Sequence, residues 1–227
     1  MKDAAEALGT KTALQDPPKG TGHAVLAARA ALADLSGDAI VLYADTPLIS
    51  SETVARVFAA LESGASVAVL GFEPADPAAY GRLITNADGD LDRIVEFKDA
   101  NEAERAVGLV NSGVLAAPAA LLFDLLGEVR NDNANGEYYL TDVVGLARDR
   151  GLRAAVVIAD ADEVLGVNSR ADLAAAEAAF QTRMRARMMA GGVTLVAPET
   201  VFFAHDTQIE RDVVIEPNVV FGPGVVI

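Results

Sequence analysis

The sequence predicts an α/β fold followed by the start of a parallel β-helix, and three observations indicate this. Short runs rich in Val, Ile and Leu alternate with Ala-rich stretches of helical period, which is typical of a sheet with crossover helices. The apolar fraction of 52% is high enough for a packed core. Beyond Gly192 the helical period ends, and apolar residues recur at every sixth position instead.

Each predicted element follows from its local pattern. Short β-branched runs predict strands, and longer stretches with one apolar face predict helices. Two alternating runs between residues 82 and 97 flank the turn sequence Asn-Ala-Asp-Gly-Asp, which predicts a β-hairpin. The other predicted strands are residues 12–15, 39–43, 66–71, 109–115 and 154–158. The predicted helices are residues 22–35, 52–61, 117–126, 137–150 and 171–189.

A hexapeptide repeat occupies the last part of the chain. Phe203, Ile209, Ile215, Phe221 and Ile227 are six positions apart. Such a period is typical of a parallel β-helix, in which each flat face takes one hexapeptide. A single coil cannot bury its own apolar interior. The sequence therefore predicts a domain over residues 1–169, a linker helix over 170–192 and the first coil or coils of a longer β-helix over 193–227.

Composition excludes several classes of protein. The chain has no cysteine, so it has no disulfide framework, no Cys-ligated zinc and no thiol nucleophile. Its net charge of -15 repels phosphate backbones, so no nucleic-acid partner is expected. The apolar runs are shorter than the roughly 20 residues that cross a bilayer. We therefore expect a soluble protein that does not bind a membrane, and its lack of cysteine is compatible with the cytoplasm.

Several residues stand where a ligand could bind. Gly-Thr-Gly at positions 20–22 precedes a predicted helix, where backbone N–H groups favour a phosphate or a base edge, although an ordinary loop is the alternative. Asp45 follows an apolar strand. It is a candidate Mg²⁺ ligand, and the alternative role is the N-cap of the segment that follows. Asn111 lies inside an apolar strand and needs a hydrogen-bond partner. Asn168 precedes a helix, where capping is the alternative role. His23 and His205 show no ligand spacing, which favours structural roles.

The order of these fragments resembles one family over essentially all 227 residues. The fragments are LQ at 14–15, GTGHA at 20–24, YADTPL at 43–48, YGR at 80–82, IVEFKD at 94–99, VNSG at 110–113, EYYLTD at 137–142, GVNSR at 166–170 and the hexapeptide repeat. Together they resemble the bacterial bifunctional N-acetylglucosamine-1-phosphate uridyltransferase/glucosamine-1-phosphate acetyltransferases.

The resemblance implies a Rossmann-like nucleotidyltransferase domain, a long helix and a left-handed β-helix that carries acetyl transfer and forms a homotrimer. The first domain would be a cytoplasmic, Mg²⁺-dependent enzyme that converts UTP and N-acetylglucosamine 1-phosphate to UDP-N-acetylglucosamine and pyrophosphate for cell-wall precursors. The implied substrate-binding residues are Gln15, Gly20 and Thr21 for uracil, Gly81, Glu96 and Asn111 for the acetylglucosamine moiety, Tyr43 in the cleft wall and Asn168. The implied metal ligands are Asp45 and Asn168.

Two departures from the family pattern matter. The family's opening strand, its glycine-rich phosphate loop and the lysine that follows have no counterpart here, and the sequence stops before the acetyl-transfer coils. We therefore assign no catalytic residue, and we expect no acetyl transfer, slow turnover and weak product binding. Two other interpretations stay open. One is a non-catalytic remnant that binds sugar nucleotide or assembles through the β-helix segment, and the other is a nucleotidyltransferase for another sugar 1-phosphate.

Overall fold

The computed structural model describes residues 2–34, 36–77 and 79–227, with side chains from residue 5 onward. The chain divides into two compact units, Met1–Val164 and Leu165–Ile227. A search of the described residues for a helix long and apolar enough to cross a membrane found none.

The first unit is built on a mixed sheet. Its strands are β1 (Asp38–Val41), β2 (Val67–Phe72), β3 (Arg82–Thr85), β4 (Leu91–Val95), β5 (Val110–Pro118) and β6 (Ala154–Ile158). The strand order is β4-β3-β5-β2-β6, with β1 paired to β5. Strands β2 and β6 are parallel, whereas β5 is antiparallel to β1, β2 and β3. Because β5 is nine residues long, one of its edges pairs with β2 and the other pairs with both β3 and β1.

Helices cover both faces of this sheet. The α-helices are α1 (Lys2–Ala7), α2 (Thr21–Ala27), α3 (Ser51–Glu62), α4 (Glu102–Arg105), α5 (Ala119–Leu126) and α6 (Asp142–Asp149), and a 3₁₀ turn covers Ala161–Glu163. Side chains alternate along a strand, so Val67 and Val69 pack with α5 and α6 on one face, whereas Ala68 and Leu70 pack with α3 on the other. The result is a three-layer α/β unit.

The predicted α/β class and the hairpin are confirmed, since β3 and β4 pair antiparallel. The strand predicted over residues 12–15 is wrong. That segment has no regular structure, and Leu14 is 85% exposed, so no buried face holds it in the sheet. The helix predicted from residue 22 ends at Ala27 and continues as turns to Asp34, and residue 35 lies outside the described residues. The helix predicted from residue 137 begins only at Asp142, because the preceding backbone pairs with another segment.

The second unit begins with α7 (Arg170–Ala190), and a buried glutamine on that helix fixes the chain that follows. The Gln181 side-chain NH₂ donates to the Phe203 carbonyl oxygen, and the Phe203 N–H donates to the Gln181 side-chain oxygen, both at 2.8 Å. Gln181 is only 3% exposed. The amide side chain therefore pairs with Phe203 as a neighbouring strand would.

Beyond α7 the backbone forms short parallel pairs. Phe202 pairs with Val220 and Gln208 with Val226, so each bridge joins positions 18 apart, which is three hexapeptides. The rings of Phe203 and Phe221 stack with centroids 5.3 Å apart. This spacing favours the β-helix interpretation, which stays a prediction. The remaining elements are β7 (Thr194–Leu195) and β8 (Val214–Ile215), which are parallel, and a 3₁₀ turn at Pro198–Thr200.

Replacing Gln181 should destabilise this unit strongly. We expect Gln181→Ala to lower the free energy of unfolding by about 2–4 kcal/mol, because both backbone groups of Phe203 lose their partner in a buried position. Urea unfolding and hydrogen exchange of the Phe203 amide measure the effect. The exposed Gln208→Ala variant is the control, with an expected change within about 0.5 kcal/mol. Equal losses in the two variants would contradict the prediction.

Candidate functional site

The turn of residues 19–22 is fixed against an extended segment before α6. The Gly22 N–H donates to the Tyr138 carbonyl oxygen, and the Tyr138 N–H donates to the Lys19 carbonyl oxygen, both at 2.8 Å. A Cβ atom at Gly20 would lie 2.6 Å from the Tyr138 oxygen, and Gly20 has a φ of +105°. Only glycine fits this close approach.

Thr21 and Tyr43 connect the same turn to the sheet. The Leu140 N–H donates to the Thr21 hydroxyl at 3.0 Å. The pKa of the Tyr43 phenol is raised, mainly because the ring is buried, although a hydrogen bond with the Thr21 side chain acts to lower it. The Tyr43 ring packs on the backbone of Gly113, where an added Cβ would lie 2.5 Å from a ring carbon. Tyr43 thus lies between α2 and β5, beyond the end of β1.

Gln15 lies beside this turn although it is not on a strand. Its side-chain NH₂ donates to the Gly20 carbonyl oxygen at 3.0 Å and lies 2.9 Å from His23 Nδ1, an arrangement in which the ring nitrogen accepts. His23 therefore hydrogen-bonds with Gln15, and its structural role stays a prediction. Gln15, Gly20 and Thr21 lie together, and their role in uracil recognition stays a prediction.

Asp45 lies in the loop after β1. The adjacent turn is closed by Thr46, whose hydroxyl donates to the Tyr43 carbonyl oxygen at 2.9 Å. The Asp45 carboxylate is exposed and makes no hydrogen bond or ion pair within the described residues. The alternative role as an N-cap is wrong, because Ser50 caps α3 by accepting the Thr53 N–H. An exposed, unpaired carboxylate is a suitable ligand for a hard cation.

The residue that follows Gly81 is Arg82, and its buried side chain hydrogen-bonds to the surrounding backbone. Arg82 is 3% exposed, and its guanidinium lies 5.4 Å from the centre of the Phe97 ring. The same guanidinium donates to three backbone carbonyl groups, those of Pro77, Tyr80 and Arg105. Arg82 has no local signature in the sequence, because a lone arginine in a strand resembles a solvent-exposed one.

The Asn111 side chain hydrogen-bonds to the backbone two positions further along the chain. Its side-chain oxygen accepts the Gly113 N–H at 3.0 Å, and its backbone N–H donates to the Gly81 carbonyl oxygen at 2.8 Å. Its side-chain NH₂ makes no hydrogen bond within the described residues. Asn111 therefore joins the start of β5 to Gly81 and leaves a donor free for a ligand.

Glu96 follows β4 and lies beside Gly81. A Cβ atom at Gly81 would lie 3.4 and 3.5 Å from the two Glu96 carboxylate oxygens, so the glycine leaves room for this side chain. The Thr141 hydroxyl donates to Glu96 Oε1 at 3.1 Å. Burial raises the pKa of Glu96, whereas the Thr141 hydrogen bond lowers it and the charge of Asp99 raises it. Glu96 is thus an oriented, half-buried acceptor.

A cavity of about 300 Å³ opens beside Glu96. Tyr139, which is 8% exposed, lines it, and burial raises the pKa of its phenol whereas a hydrogen bond with the Asn135 side chain lowers it. Tyr139 is therefore both buried and part of the cavity wall. The other lining residues are Ile94, Val95, Asp99, Arg130, Asp132, Asn133 and Asp142.

Asp142, the first residue of α6, is a cavity residue that the sequence analysis did not assign. Burial, followed by the negative charges of Glu96 and Asp99, raises the pKa of Asp142 to about 6. The only indication in the sequence was that Asp142 ends the motif at 137–142, directly after Thr141. The raised value depends on carboxylates that are distant along the chain.

The raised pKa makes stability depend on pH. A carboxyl whose pKa is raised on folding contributes stability that is fully present below its unfolded value of 3.8 and is lost as pH rises through about 6. We expect Asp142→Asn to increase the free energy of unfolding at pH 7.5 by about 1 kcal/mol, since water screens this half-exposed group. At pH 4 the difference should disappear. Urea unfolding at several pH values tests this, with the exposed Asp88→Asn as control. A gain that does not change with pH would contradict it.

Asn168 lies in the second unit, in the loop before α7. The Asn168 and Ser169 N–H groups donate to the Asp172 carboxylate, and the Ser169 hydroxyl accepts the Asp172 N–H at 3.1 Å. Ser169 is therefore the N-cap of α7, and the capping role considered for Asn168 is wrong. Its role as a metal and substrate ligand stays a prediction.

Comparison with known proteins places these residues in a family context. A family model for the MobA-like NTP transferase domain matches residues 2–122. A protein of Maricaulis maris (strain MCS10) named "Bifunctional protein GlmU" is 89% identical over 211 residues, which is 93% of this chain and 47% of the relative. A protein of the same name from Hyphomonas neptunium is 56% identical over 94% of this chain and 46% of the relative. The chain thus spans about half the length of these curated relatives.

Solved structures share the fold. A UDP-glucose pyrophosphorylase complexed with UDP-glucose has a TM-score of 0.55 at 18% identity, covering 82% of this chain and 74% of that one. A nucleoside-diphosphate-sugar pyrophosphorylase from Vibrio cholerae RC9 has a TM-score of 0.56 at 15% identity, covering 76% of this chain and 72% of that one. At these identities the likeness shows the α/β nucleotidyltransferase fold alone.

Proposed function

The chain belongs to the MobA-like NTP transferase family, and we propose that its first unit transfers a uridylyl group from UTP to N-acetylglucosamine 1-phosphate. The products are UDP-N-acetylglucosamine and pyrophosphate. The sequence resemblance supports this choice of substrates, and the high identity to the bifunctional relatives supports the family assignment.

The observation that carries the proposal is the environment of Glu96. Its carboxylate is oriented by Thr141, has space on the side of Gly81 and lies beside a cavity large enough for part of a sugar. An ionised carboxylate accepts hydrogen bonds only, so we propose that Glu96 accepts the N–H of the acetamido group. Asn111 supplies a free donor from β5. This set matches a ligand with both donors and acceptors.

The chain's own residues would mainly align the substrates. In-line attack of a sugar phosphate on the α-phosphorus brings two polyanions together, so alignment and neutralisation of charge dominate the barrier. The turn of residues 19–22 and Gln15 would hold the base, and Glu96 with Asn111 would hold the sugar. No covalent protein nucleophile is required for this displacement.

Mg²⁺ is the proposed cofactor, and Asp45 is its proposed ligand in the first unit. The exposed carboxylate has no competing partner in the described structure, which fits a metal that takes one or two protein ligands and completes its shell with phosphate and water. Bound there, the ion would supply charge stabilisation for the transferring phosphoryl group. Asn168 is the second ligand that the resemblance implies.

For the second unit we propose the first coil of a left-handed β-helix after a linker helix. The 18-residue spacing of the parallel bridges and the buried Phe203 and Phe221 support this proposal. In the bifunctional family such a domain forms a homotrimer, and we propose the same state for a protein that carries the whole domain.

Calorimetric titration tests the substrate assignment. UDP-N-acetylglucosamine should bind in the presence of Mg²⁺, and Glu96→Ala should weaken that binding about 10- to 100-fold, the loss expected for one hydrogen bond to a charged group. UDP-glucose lacks the acetamido group, so its binding should change much less. The exposed Asp88→Ala variant should bind as the wild type does. Pyrophosphate release from UTP and N-acetylglucosamine 1-phosphate provides the parallel test of turnover.

Two results would replace the proposal. Tighter binding of UDP-glucose than of UDP-N-acetylglucosamine would favour a nucleotidyltransferase for another sugar 1-phosphate. Product binding without any pyrophosphate release would favour the non-catalytic remnant.

A further inference from the structure

A buried arginine lies behind the strand pair that brings Gly81 and Glu96 together. Arg82 begins β3 and pairs with Val95 of β4. Successive side chains of a strand point to opposite faces, so Arg82 is directed away from the face on which Gly81 meets Glu96. The Arg82 guanidinium instead contacts Phe97, the residue after Glu96, and lies 5.4 Å from the centre of that ring. Arg82 can therefore act on a sugar beside Glu96 only through the backbone.

The Arg82 guanidinium connects three separate segments of the chain. Its Nε donates to the Arg105 carbonyl oxygen at 3.3 Å, and its Nη1 donates to the carbonyl oxygens of Pro77, at 3.2 Å, and Tyr80. The Phe97 ring has a second cation beside it, because the Arg105 guanidinium lies 4.8 Å from the ring centre. Arg105 Nε also donates to the Phe97 carbonyl oxygen at 3.3 Å. The segment before β3, the loop after β4 and the end of α4 are thus held by one side chain.

These contacts fix the positions of the residues proposed to hold the sugar. A Cβ atom at Gly81 would lie 3.4 Å from a Glu96 carboxylate oxygen, so the Gly81 backbone limits where that carboxylate can lie. The Gly81 carbonyl oxygen also accepts the Asn111 N–H at 2.8 Å. A shift of Gly81 would therefore move the acceptor of Glu96 relative to the donor of Asn111. Misplacement of a binding group by about 1 Å is enough to reduce its effect strongly.

We propose that Arg82 is the positioning residue of the sugar site and that it sets the preference for a sugar that carries an acetamido group. This inference rests on the proposed function, in which Glu96 accepts the acetamido N–H. Arg82 holds Gly81 through the backbone of the segment before β3, and it holds the loop that carries Glu96 through the Phe97 ring.

The chemistry of this position requires arginine. A guanidinium has five donors in a rigid planar fork and packs on aromatic rings, whereas the lysine ammonium has three donors and is a compact, strongly hydrated charge. A lysine at position 82 would keep the charge. It could not hold the carbonyl groups of Pro77, Tyr80 and Arg105 in the same geometry while it covers the Phe97 ring.

Calorimetric measurement of ligand selectivity tests the proposal on the whole chain. Wild type should bind UDP-N-acetylglucosamine more tightly than UDP-glucose, and Arg82→Lys should lower the ratio of the two affinities about tenfold, because Glu96 loses the geometry of one charged hydrogen bond. Binding of UTP, which carries no acetamido sugar, should change much less. The control is Arg153→Lys, since Arg153 is exposed and pairs with Asp90 at 2.8 Å. It should keep the wild-type ratio.

A second variant carries the test if Arg82→Lys does not fold. Phe97→Leu keeps an apolar side chain and removes the ring, so it should lower the ratio in the same direction. The double variant should lose less selectivity than the two single losses combined, since residues in contact act as a unit. Hydrogen exchange of the Asn111 amide needs no ligand. It should become faster in both single variants, because the bond from this amide to Gly81 opens more often.

The possible outcomes separate this inference from the proposed function. Variants that keep the wild-type ratio, or that lose affinity for all three ligands equally, would overturn the inference and leave the proposed function intact. A lowered ratio with unchanged exchange of the Asn111 amide would show that Arg82 acts by another route, and would overturn it as well. A wild-type chain that does not prefer UDP-N-acetylglucosamine to UDP-glucose would contradict the proposed function and the inference together.

Discussion

Replacing Gly20 with alanine is expected to destabilise the protein by about 2–6 kcal/mol and to weaken binding of UDP-N-acetylglucosamine more than tenfold. The new Cβ would lie 2.6 Å from the Tyr138 carbonyl oxygen, and the backbone would keep a φ of +105° that an L residue rarely adopts. Strain of this kind costs about 1–3 kcal/mol, and forcing an extra carbon into a packed position costs about 1–3 kcal/mol more. The turn would move away from the segment before α6.

Gly37 provides a matched control for this effect. Its φ is +100°, but an added Cβ would meet nothing within 4 Å. Gly37→Ala therefore reports the backbone strain without the steric clash, and it lies far along the chain from the turn. Urea unfolding and calorimetric titration of both variants measure the difference. If the two variants lose equal stability and both retain binding, the docking of the turn does not matter and the prediction is wrong.

Asp45→Ala is expected to reduce Mg²⁺-dependent pyrophosphate release by about 10²-fold or more. This is the size of effect seen when one preorganised charge-stabilising group is removed. Stability should change by less than about 0.5 kcal/mol, because the Asp45 carboxylate is exposed and makes no hydrogen bond in the described structure. A large kinetic effect without a stability effect would distinguish a metal ligand from a structural residue.

Asp38→Ala is the control, since it removes an exposed aspartate from the opposite end of the same strand region. It should leave the rate unchanged. Titration of Mg²⁺ in the presence of UDP-N-acetylglucosamine gives a readout that does not depend on turnover, and the apparent metal affinity should fall only in Asp45→Ala. An unchanged metal affinity in Asp45→Ala would show that the ion binds elsewhere.

Features that depend on neighbouring residues could be predicted from the sequence. The hairpin is an example: the Asn86 side-chain oxygen accepts the N–H groups of Asp88 and Asp90, and Gly89 adopts a φ of +83°. Turn chemistry of this kind is encoded within five residues. The start of α7 is similar, because the capping box joins Ser169 to Asp172 only three positions later.

Features that depend on distant partners could not be predicted. Nothing local distinguishes residues 12–15 from a short strand, and only the absence of a packing face in the folded unit excludes one. The motif at 137–142 has a helical pattern, yet Tyr138 is extended because its N–H and carbonyl groups pair with the turn of residues 19–22. Long-range hydrogen bonds thus override a local helical preference.

Local patterns were sufficient to predict the α/β class, the hairpin and the period of six. They gave candidate site residues but missed Arg82 and Asp142, and which side chains meet depends on the folded chain. Glu96 and Thr141 are 45 positions apart and hydrogen-bonded, and Gln181 pairs with Phe203 across 22 positions. The proton affinity of Asp142 likewise depends on burial and on Glu96 and Asp99. Periodicity encodes which face of an element is buried, whereas hydrogen bonds and charge interactions depend on distances that only the folded chain sets.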